Sequence, residues 1–333
     1  MAIVLDAMGS DNYPDPEIEG ALLAAKKIDQ QIVLVGDEKI LKPKLEHTNA
    51  DRSKITIVHA PEVVEMWDKP VESAKKKPNN SMAVGIGLIK DQPDSAFVTA
   101  GNTGGAMFNA LRTLGRMKGV QRPALTATFP TRKGKCIVTD IGANADCRPE
   151  FLVQFGYMGC IYAEKVLGVS NPIVGLLSNG EEAGKGSQLV KDTYSLLEKS
   201  VLNFKGNIEP KELFAGEADV VITDGFTGNI LIKSSEAVAK LITDTLKEEL
   251  VKSTITKIGA LLAKSAFVKI KSLVDPSEIG AAPLLGIDGL VFVGHGRSDA
   301  KAITSAIMLA HRTTQTDYMS EIKNQIEKHL QID

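Results

Sequence analysis

Short apolar runs rich in β-branched residues recur at residues 3–5, 32–35, 55–59, 96–99, 125–129, 136–139, 173–177, 220–223 and 290–293. Between most of them apolar positions return every three or four residues, as at 17–28, 82–90, 104–114, 150–166 and 187–198. Strand-like and helical spacing in alternation predicts βαβ units around a mostly parallel sheet, a three-layer α/β/α class. The runs at 125–129 and 136–139 lie too close for a crossover, and the link at 130–134 suits an antiparallel hairpin. No repeat or low-complexity linker divides the chain. Residues 1–333 are therefore expected to form one α/β catalytic unit whose two lobes share a continuous sheet.

After Asn229 the rhythm changes. Val238, Leu241, Ile242, Leu246 and Leu250 mark one face of a long helix. Residues 251–274 then carry Lys252, Lys257, Lys264, Lys269 and Lys271 and no acidic residue, interleaved with Ile255, Ile258, Leu261, Leu262, Phe267 and Ile270. Residues 231–274 are thus expected to be a long helix followed by a protruding basic amphipathic helical hairpin, ended by Pro276. Such a hairpin suits an anionic membrane surface, an acidic partner or a second subunit; a dimer-forming pair with a solvated lysine face is the plainer alternative.

Five strand ends run into turns of Gly, Asn, Asp and Ser that open helical patterns, at 6–11, 101–105, 140–146, 178–186 and 224–229. In an open α/β sheet the carboxyl ends of parallel strands line the ligand crevice. Glycine lets the backbone approach a ligand, and helix N-termini offer free N–H groups to an anion. The five turns predict one composite pocket for phosphate or another oxyanion.

Composition narrows the class. A net charge of −2 gives no global pull toward nucleic acid. Cys136, Cys147 and Cys160 lack Cys-x-x-Cys spacing, so neither a disulfide frame nor a zinc site is expected, and no other metal site is read. No secretion signal is read at the N-terminus, and no uncharged apolar run approaches the ~20 residues that span a bilayer. The expectation is a soluble cytoplasmic protein.

Two nucleotide motifs fail. Gly180-Glu-Glu-Ala-Gly-Lys-Gly186 has three residues between its first glycines and ends in Gly where a Walker motif needs Ser or Thr. No Gly-x-Gly-x-x-Gly follows the first strand. Lys185 suits a tetrahedral dianion beside free N–H groups, or is a surface lysine in a turn. Asn229 suits an oxyanion donor or a helix cap. His295 is bracketed by glycines at a strand end. No Gly-x-Ser-x-Gly elbow or other nucleophile setting appears, so no covalent enzyme intermediate is expected.

Taken in order, Asp6-Ala-Met-Gly-Ser-Asp11, Ala100-Gly-Asn-Thr-Gly104, Asp140-Ile-Gly-Ala-Asn-Ala-Asp146, Leu177-Ser-Asn-Gly-Glu-Glu182 with Gly184-Lys-Gly186, Asp224-Gly-Phe-Thr-Gly-Asn229, Ala282-Pro-Leu-Leu-Gly286 and His295-Gly-Arg-Ser-Asp-Ala300 resemble the bacterial acyl-acyl-carrier-protein:phosphate acyltransferases. The likeness runs from residue 3 to about residue 310, with Ser10 where the family usually has a second glycine.

The resemblance implies a fold like that of isocitrate and isopropylmalate dehydrogenases, shared by phosphate acetyltransferases. It implies a homodimer without organic cofactor that turns acyl-carrier-protein thioesters and inorganic phosphate into acyl phosphate. That product would feed a membrane glycerol-3-phosphate acyltransferase in phospholipid synthesis, with peripheral membrane contact through the hairpin. By position Lys185 and Asn229 match the family's catalytic residues. The candidate substrate- and phosphate-binding residues are Asp6, Gly9, Ser10, Asp11, Asn102, Thr103, Gly104, Asn144, Asp146, Asn179, Gly184, Gly186, Asp224, Gly228 and His295. For carrier protein or membrane they are Lys252, Lys257, Leu261, Leu262, Lys264 and Phe267.

Overall fold

The computed structural model describes residues 1–48, 52–92 and 94–329, without the side chains of 271–274 and 276. Its strands are β1 (Ala2–Asp6), β2 (Gln31–Gly36), β3 (Ile55–His59), β4 (Ala96–Thr99), β5 (Ala124–Thr131), β6 (Gly134–Thr139), β7 (Val174–Leu177), β8 (Phe204–Ile208), β9 (Val220–Ile222), β10 (Ala282–Leu285) and β11 (Leu290–Val293). The helices are α1 (Asp15–Ala25), α2 (Glu38–Glu46), α3 (Pro70–Lys76), α4 (Ser81–Ile89), α5 (Thr103–Thr113), α6 (Pro149–Leu167), α7 (Gln188–Leu197), α8 (Pro210–Ala215), α9 (Gly225–Val251), α10 (Thr254–Leu262), α11 (Lys264–Val274), α12 (Ala300–Thr314) and α13 (Tyr318–His329).

The strands form one sheet in the order β3-β2-β1-β4-β11-β10-β5-β6-β9-β7-β8. Pairing is parallel except at the centre, where β10 runs antiparallel to β11 and β5, and β5 antiparallel to β6. The expected hairpin is β5–β6. The two strands absent from the predicted runs are β8 and β10. The first is broken by Lys205, Gly206 and Asn207, and the second is short and carries Pro283, which depresses strand propensity.

Side chains alternate across the strands, so the sheet feeds two apolar cores. Ile3, Leu5, Val98 and Ile137 face the layer of α1, α6 and α12. Val4, Phe97, Val138 and Val221 face α4, α5 and α8, with Ile232 of α9 packed against that core. The chain is a three-layer α/β/α protein with a mostly parallel sheet.

Helix α9 starts at Asp224, whose side chain accepts the Thr227 amide, and runs for 27 residues. Its predicted apolar stripe is not the one that meets the sheet: Val238, Leu241 and Ile242 are exposed. Ile232, Ser235, Glu236 and Ala239 turn inward instead. Helices α10 and α11 meet at Ala263 and form the hairpin beyond it. Ile255, Leu261 and Leu262 are 83%, 71% and 83% exposed there, so these apolar side chains find no cover among the described residues. Phe267 is half-buried, and Lys252 pairs with Glu249 of α9. The side chain of Lys271, and residues 330–333 of the expected unit, lie outside the described residues. Among the described residues no helix is long and apolar enough to cross a membrane.

Candidate active site

Because the β5–β6 hairpin leaves β6, β9 and β7 running opposite to β1, β4 and β11, the turns fall into two groups at opposite edges of the sheet. Strands β1, β4 and β11 are neighbours and share a direction, so 6–11, 101–105 and 294–299 meet at their carboxyl ends. Asp6 is fully buried there, accepting Thr99 Oγ1 at 2.7 Å and the Met8 amide at 3.1 Å. Burial, outweighing these hydrogen bonds, pushes its carboxyl up. A Cβ on Gly9 would stand 2.8 Å from the Gly101 amide, so the first two turns touch only because residue 9 has no side chain. The Asp11 amide donates to the Gly296 carbonyl at 2.7 Å, tying in the third turn. The buried Ser10 is held through its amide, which donates to Glu17 Oε1 of α1 at 2.9 Å.

Asn102 is fully engaged. Its Oδ1 caps α5 at the Gly105 amide, while Nδ2 donates to the carbonyls of Glu65, Met66 and Asp68. It shapes the loop over the turn rather than offering a free amide. Gly104 packs against Pro70, and Thr103 is exposed at the N-terminus of α5.

The second group sits at the ends of β6, β9 and β7, so 224–229 lies between 140–146 and 178–186. Its hub is Asp140, a residue outside the candidate set. Its Oδ1 accepts the amides of Leu125, Gly142 and Ala143, and its Oδ2 accepts both the amide and Nδ2 of Asn144. Burial still pushes the carboxyl up, partly offset by these donors. The first turn of α9 lies directly on the hub: a Cβ on Gly228 would be 1.9 Å from the Asp140 carbonyl oxygen. A signal was available, since an acidic residue at a strand end heading a turn commonly ties up that turn's amides.

Asn229 therefore projects beside Gly142 at the edge of this hub. Asp224 is taken up in capping α9. Asp146 and Asn179 are exposed, as are Gly184 and Lys185. Gly186 packs on Val190 at the start of α7. Lys185 lies in the turn after β7, the strand beside β9 that leads to Asn229, and does not line the cavity described next.

A cavity of about 410 Å³ connects the two groups, between α9 and the face of β5 and β10. Asn229 and Gly142 line one end; Thr103, Gly294 and His295 line the other. Between them the walls include Leu125, Ala127, Ile232, Ala282 and Val293. At the second end His295 Nε2 stands 3.3 Å from Glu236 Oε1, and Arg297 Nη2 reaches Glu236 Oε2 at 2.9 Å. The His295 hydrogen bond and the nearby cations hold the Glu236 carboxyl below its ordinary value. Glu236 was missed in the sequence, yet it sits seven residues beyond Asn229, hence on the same face of the helix.

The arrangement pairs an amide donor with an apolar chamber and backbone-rich turns. It offers no activated nucleophile. Cys147, beside the Asn144 carbonyl, has its thiol pushed up to about 12 by burial and stays protonated near neutral pH. Among the described residues no cluster of three or more His, Cys, Asp or Glu is placed to hold a metal ion.

A family model described as fatty acid synthesis protein matches residues 1–321. The phosphate acyltransferase of Elusimicrobium minutum is 44% identical over 333 residues, 100% of this chain and 98% of that protein. That of Pelotomaculum thermopropionicum is 45% identical over 327 residues, covering 98% and 95%. Among solved structures, the EutD phosphotransacetylase from Staphylococcus aureus has a TM-score of 0.57 at 17% identity, with 94% of each chain covered. A 4-hydroxythreonine-4-phosphate dehydrogenase from Klebsiella pneumoniae has a TM-score of 0.54 at 12% identity, covering 95% of this chain and 98% of that one. These likenesses place the fold with that of the phosphotransacetylases.

Proposed function

The chain belongs to the fatty acid synthesis protein family and has phosphate acyltransferases among its curated relatives, and on that premise we propose that it moves a fatty acyl group from acyl carrier protein to inorganic phosphate. A phosphate oxygen attacks the thioester carbonyl directly. The new C–O bond forms, the C–S bond breaks, and the proton carried by hydrogen phosphate ends on the carrier's thiol. The products are acyl phosphate, for a membrane glycerol-3-phosphate acyltransferase in phospholipid synthesis, and free carrier protein.

The observation that carries this reading is Asn229 at the mouth of an apolar cavity, among amide-rich turns. Phosphate is already anionic near neutral pH, so positioning and oxyanion stabilisation supply the rate without a strong base. Asn229 donates to the developing oxyanion. Lys185 and the 178–186 turn attract phosphate from the neighbouring strand end. The half-buried Cys147 thiol, protonated near neutral pH, favours direct attack over a covalent enzyme intermediate.

The hairpin fits the remaining partners. Its lysines suit the acidic carrier protein or anionic lipid, and Ile255, Leu261 and Leu262 suit a membrane interface or a second subunit. We therefore read the protein as a cytoplasmic homodimer with peripheral membrane contact. Incubation with acyl-carrier protein and labelled phosphate should yield labelled acyl phosphate. Carrier binding without that product would replace the transferase by a binding module.

A further inference from the structure

We propose that the cavity between α9 and the β5–β10 strands is the fatty acyl pocket, with the carbonyl at Asn229 and the methyl end toward Phe129 and Phe214. This assignment rests on the transferase reading above and adds to it the determinant of chain length.

The pocket follows from side-chain size on a period-two strand. Leu125, Ala127 and Phe129 of β5 share one face, and the middle one is the smallest. Leu284 of β10 pairs with Leu125, so Ala282, two residues back on the antiparallel strand, lies level with Ala127. Ala239 of α9 also lines the chamber. Three alanines facing one space leave the volume of about 410 Å³ open, well within the roughly 300–1,000 Å³ of small-molecule sites.

Its length suits a fatty chain. From residue 229 to 239 an α-helix advances about 15 Å, and from 125 to 129 a strand advances about 13 Å. That is far more than an acetyl group needs. Leu125, Ala127, Ile232 and Ala282 give the amides of the carrier's phosphopantetheine arm no partner, and Glu236 in the same lining is taken up by His295 and Arg297. The nearest hydroxyl on α9, Ser235, already donates to the Leu231 carbonyl at 2.7 Å. At the far end Phe129 and Phe214 meet edge-to-face, 6.1 Å between ring centroids, and form the end wall.

The test uses the full-length protein and two carrier-protein thioesters, butanoyl and hexadecanoyl, with inorganic phosphate. Ala239→Trp fills the chamber from the helix side and Ala127→Leu from the sheet side. Each should lower the hexadecanoyl-to-butanoyl ratio of kcat/KM by about tenfold or more, since one methylene in an apolar pocket already discriminates at that level. Phe214→Ala removes the end wall and should move the ratio the other way. Ratios unchanged in all three variants, or both donors falling by one common factor, overturn the assignment while leaving the transferase reading intact. Wild-type protein that converts neither donor overturns the transferase reading, and this assignment with it.

Discussion

Glu17 Oε1 accepts the Ser10 amide at 2.9 Å from a fully buried side chain, so a helix carboxyl holds the first glycine turn in place. Burial is the main influence on this group and pushes it from 4.5 up to about 7; the Ser10 hydrogen bonds oppose the rise and the nearby Asp6 charge adds to it. The folded protein therefore keeps a proton that the unfolded chain releases between about pH 4.5 and 7. Stability contributed by this proton is full below 4.5 and lost as pH rises through 7. Glu17→Gln should erase that slope, making the variant more stable than wild type at pH 8 by up to about 3 kcal/mol. Urea unfolding at pH 5 and pH 8 reads it; an equal gap at both values would contradict the assignment.

Asp140 gathers four backbone amides and one side-chain amide beneath α9. Asp140→Ala strands the buried donors among them, each costing about 1–3 kcal/mol when left unpaired. Gly228→Ala drives a methyl into the Asp140 carbonyl. Both variants should lose most of the protein's stability in a thermal melt. An unaltered melting temperature in either would mean that this turn is not packed as described.

Gly184 offers the contrast, since a Cβ there meets nothing within 4 Å. Gly184→Ala should fold like wild type. If the 178–186 turn holds phosphate closely, the variant raises KM for phosphate, and a stable protein with unchanged KM removes Gly184 from the site.

Asn229 and Lys185 should separate kinetically. Asn229→Ala, at an exposed position, is expected to fold and to lose about a hundredfold or more in kcat, the usual cost of one oxyanion donor. Lys185→Ala, outside the cavity lining, is expected to act first on KM for phosphate. Near-normal turnover by Asn229→Ala would end its assigned role.

The hairpin lysines give a salt-dependent test. Replacing Lys252, Lys257 and Lys264 by Glu should weaken carrier-protein binding most at low ionic strength, where exposed charges are least screened. If liposome binding falls instead and carrier binding stays, these charges serve lipid.

The candidate residues were legible to different depths. Spacing alone left Asn229 between a helix cap and an oxyanion donor, and the family resemblance singled it out; Gly228 beside it must be glycine for α9 to sit on Asp140. Asn102 looked equally suited to a ligand, yet its amide is taken by three carbonyls at residues 65–68, more than thirty positions back in the chain. Asp140 headed a turn that the sequence marked, but its role as the hub for five donors depends on Leu125 and on burial, and Glu17 stands out only by its burial, which no local pattern reports.

By itself the sequence determined the layered α/β class, the β5–β6 hairpin, the long helix after Asn229 and the family. Each of these rests on local periodicity, turn chemistry or an ordered run of motifs. Only the tertiary structure decided that the glycine turns divide between two edges of the sheet. Strand β10 inserts from sequence far downstream, antiparallel to both β11 and β5, so those two run alike and the β5–β6 hairpin sets β6, β9 and β7 against β1, β4 and β11. It also decided which face of α9 looks inward. An amphipathic stripe shows that a helix has an apolar face, but only packing shows whether that face meets the protein's own core. Here the obvious stripe faces outward, and the quieter line through Asn229, Ile232, Glu236 and Ala239 builds the chamber.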